Sequence, residues 1–225
     1  MYTNFKMIIK MNENLFEAQY DVSKKNRLKR FYTENKIAIF STIIVLLILA
    51  ISFSIYLINK EKKDALLADN YIEAKIYLEA GEKNKSKRIL KNIVLSNNGT
   101  YSALSLFLIL NEYLIVNEQE LLNLFNLLLK NNKFEDEIKN LIIFKKAIFQ
   151  SNYSNELELI ETTKPLLNTD TIWKPHILLL LGDFFVSKNQ NLKAKEFYTR
   201  VLSLKNLNKE LYDQARSQLM LMTND

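Results

Sequence analysis

Residues 37–58 read IAIFSTIIVLLILAISFSIYLI, twenty-two positions without a charge. As a helix rising about 1.5 Å per residue, the run is about 33 Å long, enough to cross a hydrocarbon core of about 30 Å. Amides inside lipid find no water, so a lone span must be helical. A signal peptide carries a shorter apolar region, about 7–15 residues, that ends in small side chains. This run leaves instead through Leu57, Ile58, Asn59 and Lys60. The reading is an uncleaved transmembrane helix over 37–58. A tail at 1–36 precedes it and a polar domain at 59–225 follows.

Basic residues in the flanks set orientation. Lys24, Lys25, Arg27, Lys29, Arg30 and Lys36 lie before the span; only Lys60, Lys62 and Lys63 follow it closely. The basic tail is therefore expected in the cytoplasm and the C-terminal domain on the other side. The tail lacks apolar periodicity and cannot bury a core alone. Met7 and Met11 are further possible starts. The cluster from Lys24 to Arg30 reads as a topology signal, with contact to anionic lipid as the alternative.

The chain has no cysteine, which excludes disulfides, thiol catalysis and cysteine-held metals. Its formal charge is +6, yet the tail holds +4 of it. The larger domain is close to neutral, without the footprint of a nucleic-acid binder. Lys83, Lys85, Lys87, Arg88 and Lys91 read as the solvated side of one helix. Three glycines and two prolines in 225 residues leave few hairpin turns. Sustained period-two alternation is absent too, so the domain is expected to be all-α.

The spacing predicts helices near 61–80, 84–96, 101–116, 118–130, 134–150, 155–166, 173–187, 190–203 and 208–221. Turn-tolerant residues separate them: Gly81, Asn97-Asn98-Gly99, Asn131-Asn132, Ser151-Asn152 and Asn189. Short loops make neighbours antiparallel, giving helical hairpins. Tyr77, Tyr113, Ile148 and Phe185 take similar places on successive first helices, at intervals of 36, 35 and 37. A period near 34 marks tetratricopeptide-like repeats. The last copy is the best, with Leu178, Leu181, Gly182, Phe185, Ala194, Tyr198 and Val201 at the spacing of that motif. Gly182 and Ala194 let the two helices approach closely. Earlier copies are degenerate, with Leu110 and Lys145 where the last has Gly182. An unrelated helical bundle is the rival architecture.

A basic tail ending Arg30-Phe31-Tyr32-Thr33-Glu34-Asn35 precedes the span. A long helix follows, then Thr100-Tyr101-Ser102-Ala103-Leu104-Ser105-Leu106, then Trp173 opening the repeat that holds Gly182. From about Val22 to Met222 this order resembles the tetratricopeptide-like ancillary subunit of the bacterial Sec translocon. The resemblance implies an inner-membrane protein with its repeat domain in the periplasm. It implies association with the translocon channel and with a membrane-anchored periplasmic chaperone of the prolyl-isomerase type, in aid of exported chains. The heavier Ile, Phe and Asn content and the poorer early repeats depart from that family.

Stacked hairpins line a groove with their first helices. Taking Tyr113, Ile148 and Phe185 as equivalent gives one row of Phe107, Ile142 and Leu179. A second is Leu114, Phe149 and Val186, and Asn111, Lys146 and Asp183 run between. Two apolar rows flanking a polar one suit a client segment with exposed hydrophobic side chains. The alternative is ordinary core, covered by a neighbour such as helix 208–221.

No cofactor, metal or nucleic acid is expected. The lone histidine, His176, follows Pro175 at a helix start and has no metal-binding companion. Glu156 and Glu158, and the run Glu135-Asp136-Glu137, sit near helix N-termini, where they favour the dipole. Serines have only His176 as a possible base, so no enzyme is expected. The sequence describes a membrane-anchored, tetratricopeptide-like protein-interaction module. A structural scaffold for envelope or cell-division machinery is the alternative.

Overall fold

The computed structural model describes the backbone of residues 2–222 and the side chains of residues 29–222. The described residues are helical and contain no strand. They form two compact units, Met1–Lys63 and Asp64–Asp225. Helix α1 (Tyr2–Glu79) runs through the first unit and supplies residues 64–79 to the second.

In the first unit one residue, Asn35, departs from helical angles, at φ −116° and ψ 15°. It stands just before the uncharged run. The helix that follows is long and apolar enough to cross a membrane, and none of its apolar window is buried within the protein. The hydroxyls of Ser41, Thr42 and Ser54 in the run bond to the helix itself. Thr42 Oγ1 donates to the Ala38 carbonyl at 2.8 Å, and Ser54 Oγ donates to that of Ala50 at 2.9 Å. A hydroxyl satisfied this way costs little in lipid, where an unpartnered one is expensive.

The second unit continues with α2 (Lys83–Val94), α3 (Gly99–Asn111), α4 (Glu118–Asn131) and α5 (Asp136–Tyr153). Then come α6 (Glu156–Asn168), α7 (Lys174–Ser187), α8 (Asn191–Leu202) and α9 (Lys209–Leu221). These match the helices expected from periodicity, except that α3 stops at Asn111 and Ser151-Asn152 lies inside α5. Asparagine supplies most of the boundaries. Asn98, Asn117, Asn155 and Asn208 cap α3, α4, α6 and α9 through their side chains, each satisfying amides the helix leaves open. Asn97 and Asn189 take the left-handed conformation, both at φ 57°.

Two buried clusters meet at α5. Ile142 belongs to the core built by α1–α4, and the next residue, Ile143, belongs to the core built by α5–α9. The helices pack as successive antiparallel pairs. α7 lies against α8, α5 against α6, and first helix against first helix where α5 meets α7 and α7 meets α9.

Candidate partner-binding surface

The turns after three of the first helices, α7, α1 and α3, fix the repeat register. Phe185 O accepts from Gln190 N at 2.9 Å and Val186 O from Asn189 N at 2.9 Å, with Asn189 left-handed. This is a Schellman closure. It recurs after α1, where Tyr77 O accepts from Glu82 N and Gly81 has φ 78°. It recurs after α3, where Ile109 O accepts from Leu114 N and Tyr113 has φ 51°. The partner of Tyr77 and Phe185 on α3 is therefore Ile109. The expected Tyr113 lies past the helix end and is 85% exposed.

With that register the small position, Gly182 in α7, corresponds to Ala74 in α1 and Leu106 in α3. In α5 the matching residue is Ala147, nine residues before α6 begins, as Gly182 is before α8 and Ala74 before α2. These positions stand 32, 41 and 35 residues apart. The second helices follow suit. Ala194, Tyr198 and Val201 of α8 match Ser86, Leu90 and Ile93 of α2, and Leu159, Thr163 and Leu166 of α6. In α4, after a loop three residues longer, they match Leu121, Phe125 and Leu128. All of them are buried. The ring of Phe185 carries Lys193 Nζ 5.0 Å from its centroid, and that of Tyr77 carries Lys85 Nζ at the same distance. The first hairpin thus copies the last.

The nine expected groove residues divide on this frame. Asp183, Phe107 and, newly, Lys75 and Ile148 form one row directly after the small position; they are exposed or half-buried. Val186 joins Leu78, Leu110 and Ser151 in a second row, half-buried throughout. Asn111 joins Glu79, Asn152 and Ser187 in a third, exposed throughout. The other five do not line this face. Leu179 and Ile142 are core, and Leu114 is a buried residue of the α3–α4 loop. Lys146 and Phe149 turn toward the preceding hairpin. Lys146 Nζ donates to Asn126 Oδ1 at 2.9 Å, and the Phe149 ring lies 6.5 Å from that of Phe125. Burial holds the Lys146 ammonium below the usual lysine range, partly offset by the Glu158 carboxylate. The physical cause of the displacement is one helical turn of slip on α3 and two residues on α5.

A second concavity, of about 1150 Å³, opens between the α6–α7 turn, the α8–α9 turn and the start of α9. His176 lines it, together with Glu137, Lys174, Lys205 and Glu210. The imidazole is half-buried against Phe144 and Trp173, with ring centroids 5.7 and 5.8 Å away. Burial pushes its pKa below the usual histidine value. Thr171 Oγ1 donates to Glu137 Oε2 at 2.9 Å and fixes the rim. No group of three or more metal-binding side chains occurs among the described residues. Comparison with protein-family models, curated proteins and solved structures finds no match to this chain.

Proposed function

We propose that this protein is a single-span membrane protein whose hairpin array binds protein segments. The repeated register carries the reading. Four hairpins bury equivalent positions and leave three equivalent rows on their first helices open or half-open. Such arrays present extended surfaces built from one position per repeat. Phe107, Ile148, Leu110 and Val186 supply apolar contact, while Lys75 and Asp183 supply charge of both signs. Tethering by the span raises the local concentration of this surface at a bilayer.

In the finer reading, the tail lies in the cytoplasm and the array in the periplasm of a bacterial inner membrane. There it works beside the Sec translocon and a membrane-anchored chaperone on exported chains. The flanking charges and the resemblance in segment order support that placement. Site-specific photocrosslinking from position 107 or 148 in intact membranes tests it. Adducts to channel subunits and to many nascent exported chains are expected. A single fixed partner of the envelope or division machinery would replace the export role with a scaffolding one.

A further inference from the structure

The first hairpin exposes the face that the other three hide against a predecessor. In α5 that face carries Ile142, Lys146 and Phe149, turned toward α4 as described above. The same positions in α7 are Ile177, Leu181 and Phe184, all buried. In α3 they are Tyr101, Ser105 and Leu108, buried or half-buried, with the Tyr101 ring 6.3 Å from that of Tyr71. In α1 they are Asp69, Glu73 and Ile76, all exposed, with Leu66 and Ile72 exposed beside them.

Two of the later second helices differ from α2 as well. In α4 and α8 one position reaches back to the preceding pair: Glu120 pairs with Lys91 of α2, and Lys193 pairs with Glu156 of α6 at 2.6 Å, while in α6 the matching Glu158 is exposed and acts on Lys146 of its own hairpin. The matching residue of α2 is Lys85, whose partners are Glu82 and the Tyr77 ring of its own hairpin. Arg88, one turn on, is exposed and in no ion pair among the described residues.

This leading face therefore holds two acids on α1, two bases on α2 and three large apolar side chains. An isologous contact sets a patch against itself, so it needs both charge signs on the one patch. Laying α1 of one copy against α2 of the other pairs Asp69 and Glu73 with Lys85 and Arg88, twice over. Laying α1 on α1 would oppose acid to acid. We propose that two copies of this chain associate through their first hairpins in the former arrangement, each copy covering the face that the later hairpins bury against a predecessor. Anchoring in one bilayer favours the encounter.

Sedimentation of the full-length chain in detergent micelles tests this with two reversed-charge variants. One is Asp69→Lys with Glu73→Lys; the other is Lys85→Glu with Arg88→Glu. The native chain is expected to be dimeric. Each variant alone should dimerise about tenfold more weakly or worse, since like charges then meet across the contact. An equimolar mixture should recover dimers containing one chain of each kind. Ile76→Ser, which leaves the charges in place, should also weaken the dimer several-fold, with helicity by circular dichroism unchanged. A native chain monomeric at every attainable concentration overturns the proposal, as does a mixture that stays monomeric. So does a dimer indifferent to Ile76→Ser and to both reversals, which would place association in the apolar span.

Discussion

Gly182 and Tyr198 illustrate how tightly one residue can be specified. A Cβ on Gly182 would stand 2.7 Å from Cζ and 2.8 Å from Cδ1 of the Tyr198 ring. That ring is fully buried, and its hydroxyl donates to Asp183 Oδ1 at 2.6 Å, so it cannot swing aside. Where alanine takes the small position, the facing residue is shorter: Leu90 opposite Ala74, Thr163 opposite Ala147. Gly182→Ala should therefore destabilise the unit by about 1–3 kcal/mol through overpacking. Tyr198→Leu in the same chain should return part of that loss, a coupling read by denaturation of the two single variants and the double. Ser86 presents the opposite case. Its Oγ is buried without a partner, at the position where the last hairpin has Ala194. Ser86→Ala should raise stability by about 1 kcal/mol, because an unsatisfied hydroxyl disappears and no bond is lost. His176 gives the protein a pH dependence of known sign. Its folded pKa lies below the usual value of about 6.5, so the unfolded chain takes up a proton first as pH falls. The stability it contributes is present above that value and is lost as pH drops through the lower folded pKa. His176→Gln should flatten that part of the curve of unfolding midpoint against pH.

At the scale of elements, asparagine and glycine made the hairpins readable, because the asparagine amide caps helices and both residues tolerate left-handed turns. The helices from α2 to α9 among the described residues were legible for that reason, and so was the last hairpin, whose Gly182, Ala194 and Tyr198 sit together in the core. The register of the middle hairpins was not. Tyr113 looks like a core aromatic in the sequence, but α3 closes before it with an ordinary Schellman turn whose left-handed residue happens to be tyrosine. Leu106 hides the small position of α3 by being large. The extra loop residues before α4 and the long α5 then destroy the even spacing on which the expected rows depended. Ala74 and Ser86, a faithful early copy, are hidden in the sequence because α1 has Asn70 and Glu73 at the Leu178 and Leu181 positions. The strained turn makes a prediction. Left-handed φ is uncommon outside glycine and asparagine, and Gly81 and Asn189 hold the equivalent places. Tyr113→Asn should stabilise the unit by up to about 1 kcal/mol, since the ring is solvent-exposed and gives up little contact. Asn98 works in the other direction. It accepts from Thr100 N and Tyr101 N, and donates to Asp64 Oδ1 at 2.7 Å. Asn98→Ala removes the cap of α3 and its tie to α1, and should cost about 1–2 kcal/mol by thermal or denaturant unfolding.

At the scale of the whole molecule, the proposed reading sets the apolar helix in lipid and the hairpin array in water, and the test of that reading is which side of the bilayer the array occupies. The bias is six basic residues before the apolar run against three after it, and such residues are retained on the cytoplasmic side. The absence of cysteine makes the sidedness directly measurable, since any introduced thiol is the single one. Thr33 lies on the N-terminal side of the run and Ser203 in the turn before α9, and both are exposed. In intact spheroplasts, a membrane-impermeant maleimide should label a Ser203→Cys chain at once and a Thr33→Cys chain only after lysis. Replacing Lys24, Lys25, Arg27, Lys29, Arg30 and Lys36 by serine removes the retained charge while Lys60, Lys62 and Lys63 persist. In that chain the labelling pattern should invert for a substantial fraction of molecules, because the bias then favours holding the other end inside. Labelling of Thr33→Cys but not Ser203→Cys in the native chain would put the array in the cytosol. The surface bearing Phe107, Ile148 and Val186 would then face cytosolic proteins rather than the exported ones proposed above, with the hairpin packing unaffected.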